Sequence, residues 1–396
     1  MSLNSPTFEA FITDKPLYYK EIDHKRVHNA YAMLKPHIQK PTAIHVVGTN
    51  GKGSTGRIMA SLLYHAGYRV GHFSSPHIMK FNERIWINGE DSSDEMLESA
   101  HAILYPILGR EMSEALSYFE YTTLLALVAM QDLEVIVLEA GLGGEFDATN
   151  VVEKALSVIT PIGLDHQDFL GDTISSIATT KLNSIDKRAI VGFQSHPEVY
   201  AIARQIASEK GTELYLLASL IEADSQKIAA IETLTQSLGW SRFLYENTLL
   251  ATQALQILDF EYDIDDLKLV KLFGRFYPIL PHVRIDVGHN LLAATALVEA
   301  LKQWETAEKP VLVYNSLADK DYQKILEIFA PYIKRVEIIP IETIRAVERA
   351  LLVKTLERLG IPYREFNGIE ESENYLVFGS FYVVEAFLGT DGFSLT

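Results

Sequence analysis

Cysteine is absent from the 396 residues, so disulfides, thiolate nucleophiles and Cys-ligated zinc are excluded. Positive charge is scarce as well: 35 Lys and Arg stand against 52 Asp and Glu, a net charge of −17. That balance argues against broad binding of nucleic acid or anionic membranes. An anionic substrate must then meet a local basic site. Long apolar runs are missing, and the most apolar stretch, 122–130, is far too short to span a bilayer. The opening residues, MSLNSPTFEAFITDK, lack a basic segment followed by an apolar one, so no secretory leader is expected. A soluble cytoplasmic protein is expected. A monomer is expected too, since no unmatched apolar stripe calls for a partner. Repeats and low-complexity segments are also lacking. What is present is core-forming material. With 48% hydrophobic and 22% charged residues, the composition supports a sizeable core rather than disorder. The length suggests two domains.

The chain is organised around TAIHVVGTNGKGSTG, residues 42–56. The apolar, β-branched run 42–47 predicts a buried parallel strand. Gly48, Thr49, Asn50, Gly51, Lys52, Gly53 and Ser54 follow at once, and 57–66 carries apolar residues at helical spacing. Strand, glycine-rich turn and helix form a phosphate cradle: glycines let backbone N–H groups turn inward, and the helix N-terminus adds partial positive charge. Lys52 can reach terminal phosphates, and the Ser54 hydroxyl stands where a Mg²⁺ ligand is needed. The spacing departs from G-x-x-x-x-G-K-[ST], because the first Gly lies four residues before Lys52 and Gly53 separates Lys52 from Ser54. The bland alternative is an ordinary Gly-rich turn, with a solvated lysine and Ser54 as a helix cap.

Residues 5–40 carry amphipathic helical periodicity. Strands are predicted at 68–73, 134–140, 156–162, 189–193 and 213–217, and over 81–89 as a strand that ends in a tight turn, with helices over 93–109, 113–131, 173–186 and 245–259. This alternation predicts a parallel sheet. The pattern loosens over 260–282, and a second strand–helix series begins at Val283, with a helix predicted over 344–358. The fold class is therefore α/β: an N-terminal P-loop parallel-sheet ATPase domain over 1–272 and a smaller Rossmann-like α/β domain over 273–396. In parallel sheets ligands gather beyond the carboxyl ends of strands. Gly48, Glu139 and His166 all follow or end apolar strands, which unites three distant segments in one candidate site. A carboxylate ending an apolar strand is costly unless it meets a cation, so Glu139 is a candidate Mg²⁺ ligand. Imidazole is not the first choice for Mg²⁺, and the residues alone favour a structural role for His166.

The ordered stretches GTNGKGS (48–54), SSPHIMKFNERIWING (74–89), LEAGLGGEFDATN (138–150), GLDHQDFLGDTISSIA (163–178), GR (274–275), DVGHN (286–290), LADKD (317–321) and FGSFY (378–382) resemble the folylpolyglutamate synthase/dihydrofolate synthase family, a branch of the Mur ligase superfamily. The resemblance covers nearly the whole chain. It implies an ATP-dependent amide ligase. A carboxylate would be phosphorylated to an acyl phosphate, and L-glutamate would then attack to give an amide. The acceptor would be dihydropteroate, a reduced folate, or both.

The resemblance also implies roles. Ser75 and Glu139 would bind Mg²⁺, and His166 would bind a second Mg²⁺ with Asp165 orienting it. Lys181 would carry a CO₂-derived carbamate, since a desolvated lysine near other charges becomes nucleophilic. The residues after it, Leu182-Asn183-Ser184-Ile185, depart from the family's Ala-Gly-Ile. Asn247, Arg275, Asp286 and His289 would contact ATP, although Phe273 replaces a proline and Val287-Gly288 replaces Gly-Ala. Phe81, Arg84, Asp147 and Asn150 would lie on the acceptor side, Phe81 being as readily a core aromatic. Three other readings stay open: a peptidoglycan-precursor Mur ligase, a P-loop phosphotransferase acting on a small alcohol, and a nucleotide-binding regulator without turnover.

Overall fold

The structure is a computed structural model that describes residues 6–16, 23, 25–222, 225–304 and 308–390. The chain divides into two compact units. One runs to Ile162 and adds Thr173–Leu234 and Glu246–Val270. The other comprises Gly163–Asp172, Thr235–Tyr245 and the chain from Lys271 onward.

The first unit is built on an eight-stranded sheet. Its strands are β1 (Thr42–Val47), β2 (Val70–Phe73), β3 (Ile85–Ile87), β4 (Glu90–Asp91), β5 (Val135–Glu139), β6 (Leu156–Ile159), β7 (Arg188–Val191) and β8 (Glu213–Leu216), in the order β4-β3-β2-β5-β1-β6-β7-β8. All neighbours from β2 to β8 pair in parallel, while β3 and β4 add an antiparallel edge. The central strands are buried throughout, as their unbroken apolar runs predict. Register fixes what emerges at the carboxyl edge. Val46 lies opposite Glu139, Val47 opposite Ile159, and Phe73 opposite Leu138. The loops that start at Ser74, Ala140, Gly48 and Thr160 therefore leave the sheet side by side. A core that includes Leu34, Phe73, Leu124, Leu125 and Leu138 packs beneath the helices.

The second unit carries β9 (Tyr277–Leu280), β10 (Val283–Asp286), β11 (Val311–Tyr314), β12 (Val336–Ile338), β13 (Tyr363–Glu365) and β14 (Tyr375–Phe378), in the order β13-β12-β11-β14-β10-β9. Only the β9–β10 pairing is antiparallel. Its core includes Leu297, Leu312, Leu326, Phe329, Leu376 and Phe378.

Several elements depart from sequence expectation. Within 5–40 the described residues form helices Phe8–Thr13 and Arg26–Leu34, while 5, 17–22 and 24 lie outside the described residues. Residues 81–84 form a 3₁₀ turn rather than a strand. The cause is the Glu83 carboxylate, which accepts from the N–H groups of Ile78, Met79 and Lys80, each at 2.7 Å, and so folds the segment on itself. The helix predicted over 344–358 begins only at Arg349. Strand β9 arises in the stretch expected to be irregular, and its Pro278 is tolerated because an edge strand can spare an N–H. Among the described residues no helix is long and apolar enough to cross a membrane.

Candidate functional site

The cradle forms where β1 ends. Gly51 takes a left-handed φ of 86° as it feeds the helix Lys52–His65, and no side chain caps that helix. Its first-turn N–H groups are thus left uncapped by side chains, as a helix N-terminus that receives an anion requires. Gly48 is pressed against the residue that follows β6: a Cβ there would lie 2.0 Å from Thr160 Oγ1. At Gly51 a Cβ would lie 2.7 Å from Asn247 Oδ1, which places the buried Asn247 directly under the loop. The Lys52 ammonium folds back to donate to Gly48 O at 3.3 Å and Thr49 O at 3.1 Å. Lys181, only 4% exposed, donates to the same Gly48 carbonyl at 2.9 Å. Two ammonium groups from segments far apart in sequence therefore converge on one carbonyl. The Ser54 hydroxyl is buried with no hydrogen-bond partner among the described residues, although a buried polar group ordinarily has one. An incoming phosphate or hard cation would satisfy it.

Glu139 ends β5 and is buried. Lys52 Nζ lies 3.9 Å from its Oε1, and the Ser75 N–H donates to its Oε2 at 3.4 Å. Among the described residues no three His, Asp or Glu side chains cluster as a self-sufficient metal site. The available donors are one carboxylate and the Ser54 and Ser75 hydroxyls. That sparse, all-oxygen set fits Mg²⁺, which takes one or two carboxylates and completes its shell with water and substrate phosphates.

The turn after Glu139 is held from inside. Asp147 accepts from Gly141 N and Leu142 N at 2.9 Å each, from Thr149 N at 2.9 Å and from Thr149 Oγ1 at 2.5 Å. Burial pushes its pKa up while these donors pull against it. Thr149 Oγ1 continues to His45 Nε2 at 2.8 Å, and burial keeps that imidazole well below its usual pKa. Gly144 abuts the Lys181 backbone, where a Cβ would lie 2.6 Å from the Lys181 carbonyl oxygen. Asn150 donates to Glu145 O at 2.8 Å and receives the Lys154 ammonium.

In the second unit, Asp286 ends β10 and accepts from Phe276 N at 2.9 Å and Gly288 N at 2.7 Å. Burial raises its pKa despite the nearby Arg275 and these two donors. The Arg275 guanidinium stands over the Phe381 ring, 5.7 Å from its centroid. Asn290 caps the helix Leu291–Gln303 through Ala293 N at 2.9 Å and donates to Asp165 Oδ2 at 2.8 Å. Lys320 reaches Asp165 Oδ1 at 2.7 Å, and His289 Nε2 stands 3.8 Å from Oδ2. Burial opposes a charge on Asp165, yet His289, His166 and Lys320 together hold its pKa well below the usual carboxylate range. His166 itself adopts a left-handed φ of 52°, and its N–H donates to Asp165 Oδ1 at 2.9 Å.

This pairing of a glycine cradle with a strand-end carboxylate in one unit and a second parallel sheet in the other has known counterparts. No family model matches the chain. It is 33% identical over 378 residues to the dihydrofolate synthase/folylpolyglutamate synthase of Buchnera aphidicola subsp. Schizaphis graminum, covering 89% of this chain and 88% of the relative. The chain belongs to the dihydrofolate synthase/folylpolyglutamate synthase family. Solved structures agree. The chain is similar to E. coli FolC in complex with DHPP and ADP, with a TM-score of 0.80, 28% identity and 96% of each chain covered. It is equally similar to the Yersinia pestis bifunctional folylpolyglutamate synthase/dihydrofolate synthase complexed with AMPPNP and Mn ion, with a TM-score of 0.80, 26% identity, 97% of this chain and 98% of that chain covered. The protein is an ATP-dependent ligase of this family, using a divalent metal.

Within this synthase-family chain, the first unit brings together Gly48, Gly51, Lys52, Ser54, Ser75, Glu139, Lys181 and Asn247. Asp147 and Asn150 border them but spend their polar atoms on the loop. Arg84 adjoins the Ser75 turn, its carbonyl accepting from Ser74 N at 2.9 Å, and Phe81 packs nearby on aromatic neighbours. Arg84 Nε donates to His77 Nδ1 at 2.8 Å and its guanidinium lies 5.2 Å from the Tyr118 ring centroid, while Phe81 packs on Phe8 with centroids 5.1 Å apart. Arg275, Asp286, His289 and His166 belong to the second unit. Sequence reasoning placed Glu83 with Asn82 in the acceptor-side loop, and missed Thr160, His45 and Lys320. Of these, Lys320 had a usable signal, as a lysine inside the LADKD stretch.

Proposed function

We propose that the enzyme joins the amino group of L-glutamate to the carboxylate of dihydropteroate, of reduced folates, or of both. The acceptor carboxylate attacks the γ-phosphorus of ATP, giving an acyl phosphate and ADP. The glutamate amine then attacks the acyl carbon, loses a proton, and expels inorganic phosphate to leave the amide. Lys52 and the N–H groups of 51–54 stabilise the charge that gathers on the transferring phosphoryl group. The observation that carries this reading is the convergence of Lys52 and Lys181 on the Gly48 carbonyl, with Lys52 beside Glu139 and the orphaned Ser54 hydroxyl in the first turn of the same helix.

Ser54, Ser75 and Glu139 would hold one Mg²⁺ and His166 a second, supplying charge neutralisation to the phosphates and the acyl phosphate. Lys181 is assigned a carbamate: its neutral amine adds CO₂ and releases a proton. The remaining N–H can keep donating to Gly48 O, so the observed contact fits both forms. Asn247, Arg275, Asp286 and His289 are assigned to ATP. Phe81 and Arg84 are assigned to the acceptor, and Asp147 and Asn150 to shaping the loop that borders it. The enzyme is expected to act as a cytoplasmic monomer, which sedimentation at micromolar concentration tests.

The deciding experiment measures phosphate release from ATP and Mg²⁺ with L-glutamate, using dihydropteroate and a reduced folate in parallel. Release with both acceptors makes the protein bifunctional, and release with one alone assigns it to that acceptor. If neither acceptor stimulates release while ATP still binds, the reading fails.

A further inference from the structure

The cluster around Asp165 is larger than the reaction as described requires. Its carboxylate is buried, with a side-chain exposure of 7%, and it faces Lys320, whose side chain is 5% exposed. A buried ammonium is costly and is normally kept only where its partner is fixed. Lys320 is fixed on both sides: Asp165 Oδ1 at 2.7 Å and Asp319 Oδ2 at 3.1 Å, with Asp319 in turn held by Arg345 at 3.0 Å. Asp165 Oδ1 also accepts the His166 N–H at 2.9 Å. One oxygen atom thus joins the Lys320 ammonium to the backbone of His166.

His166 needs such a hold. A non-glycine residue in the left-handed region costs of order 1 kcal/mol or more and persists only where its surroundings over-determine it. Its carbonyl starts the single turn Gln167–Leu170, accepting from Phe169 N and Leu170 N at 3.0 Å each. The N–H of His166 therefore fixes one side of the residue and its carbonyl the other. Asn290 secures the second Asp165 oxygen while also capping the helix that follows it, so both carboxylate oxygens are held.

We infer that Lys320 is a positioning residue: through Asp165 it holds His166 in its left-handed conformation and so aims the imidazole at a divalent ion. This rests on the assignment of His166 as a metal ligand. Partners behind metal ligands typically change metal affinity by 10- to 100-fold, so losing Lys320 should act through affinity for the ion.

The test is direct Mn²⁺ binding, read by electron paramagnetic resonance in the presence of a non-hydrolysable ATP analogue. It compares wild type, His166→Ala, Lys320→Met and the double variant Asp165→Asn/Lys320→Met. The double variant leaves no buried charge unpaired and guards against simple misfolding of the single one. Lys320→Met and the double variant should weaken Mn²⁺ binding at one site roughly 10-fold, matching His166→Ala, with analogue binding in the absence of metal unchanged. Lys320→Arg, which keeps the charge, should recover part of the loss. Wild-type Mn²⁺ affinity in both Lys320 variants, alongside weakened binding in His166→Ala, overturns the inference and leaves the His166 assignment standing. A lowered melting temperature with unchanged Mn²⁺ affinity also overturns it, since Lys320 would then be structural only. Unchanged affinity in His166→Ala removes the ligand assignment itself, and the inference with it.

Discussion

Replacing Gly51 by alanine tests the cradle at its most constrained point. The residue sits at φ 86°, ψ −8°, where an L side chain costs about 1–2 kcal/mol. The new methyl would also stand 2.7 Å from Asn247 Oδ1 and 3.1 Å from its Nδ2. Asn247 is 4% exposed, so it has little room to retreat. Strain and contact together amount to about 2 kcal/mol, and the cheapest relief is a shift of the loop away from the phosphate position. Since 1.4 kcal/mol is a factor of ten in affinity, Gly51→Ala should weaken binding of an ATP analogue roughly 10- to 30-fold by calorimetry. In an Asn247→Ala background the contact disappears and only the backbone strain remains, so the Gly51→Ala penalty should shrink to about 5-fold, near 1 kcal/mol. Wild-type affinity in Gly51→Ala, or an undiminished penalty in the double variant, would refute the reasoning.

Lys52→Ala and Glu139→Ala should each abolish turnover while circular dichroism and melting stay close to wild type; near-normal phosphate release by either removes the site assignment. His77 supplies a pH dependence of stability. Burial, reinforced by Arg84, lowers its pKa from 6.5 to about 4, so between those values the unfolded chain binds the extra proton and stability falls as pH falls. Wild type should lose about 2 kcal/mol more than His77→Gln between pH 6.5 and 4, allowing for the partial exposure of the ring, as urea unfolding at both pH values checks. Asp147→Ala strands the N–H groups of Gly141, Leu142 and Thr149, and leaves the Thr149 hydroxyl to His45 alone. It should cost roughly 3 kcal/mol of stability, and an unfolding midpoint equal to wild type would show that the turn does not depend on this carboxylate.

The strand, glycine turn and helix around Lys52 are legible in the amino-acid order, because glycine positions and apolar runs act over a few residues and need no distant partner. The parallel sheets are legible there too, through the alternation of short apolar strands with helical periodicity. Ser75, Glu139 and Lys181 were legible as candidates by resemblance and by the cost of placing charge at an apolar strand end. That Lys181 and Lys52 share the Gly48 carbonyl follows from folding alone, since it depends on the packing of the helix Ile174–Leu182 against the loop. Folding also sets that residues 81–84 curl instead of extending, because the Glu83 carboxylate accepts from three backbone N–H groups at once. The role of Asp165 was decided in the same way. Read locally it is the neighbour of His166, but folding brings it a lysine 155 residues away. No periodicity or motif encodes a pairing over that distance; it exists because a carboxylate buried with the second unit must find a cation there.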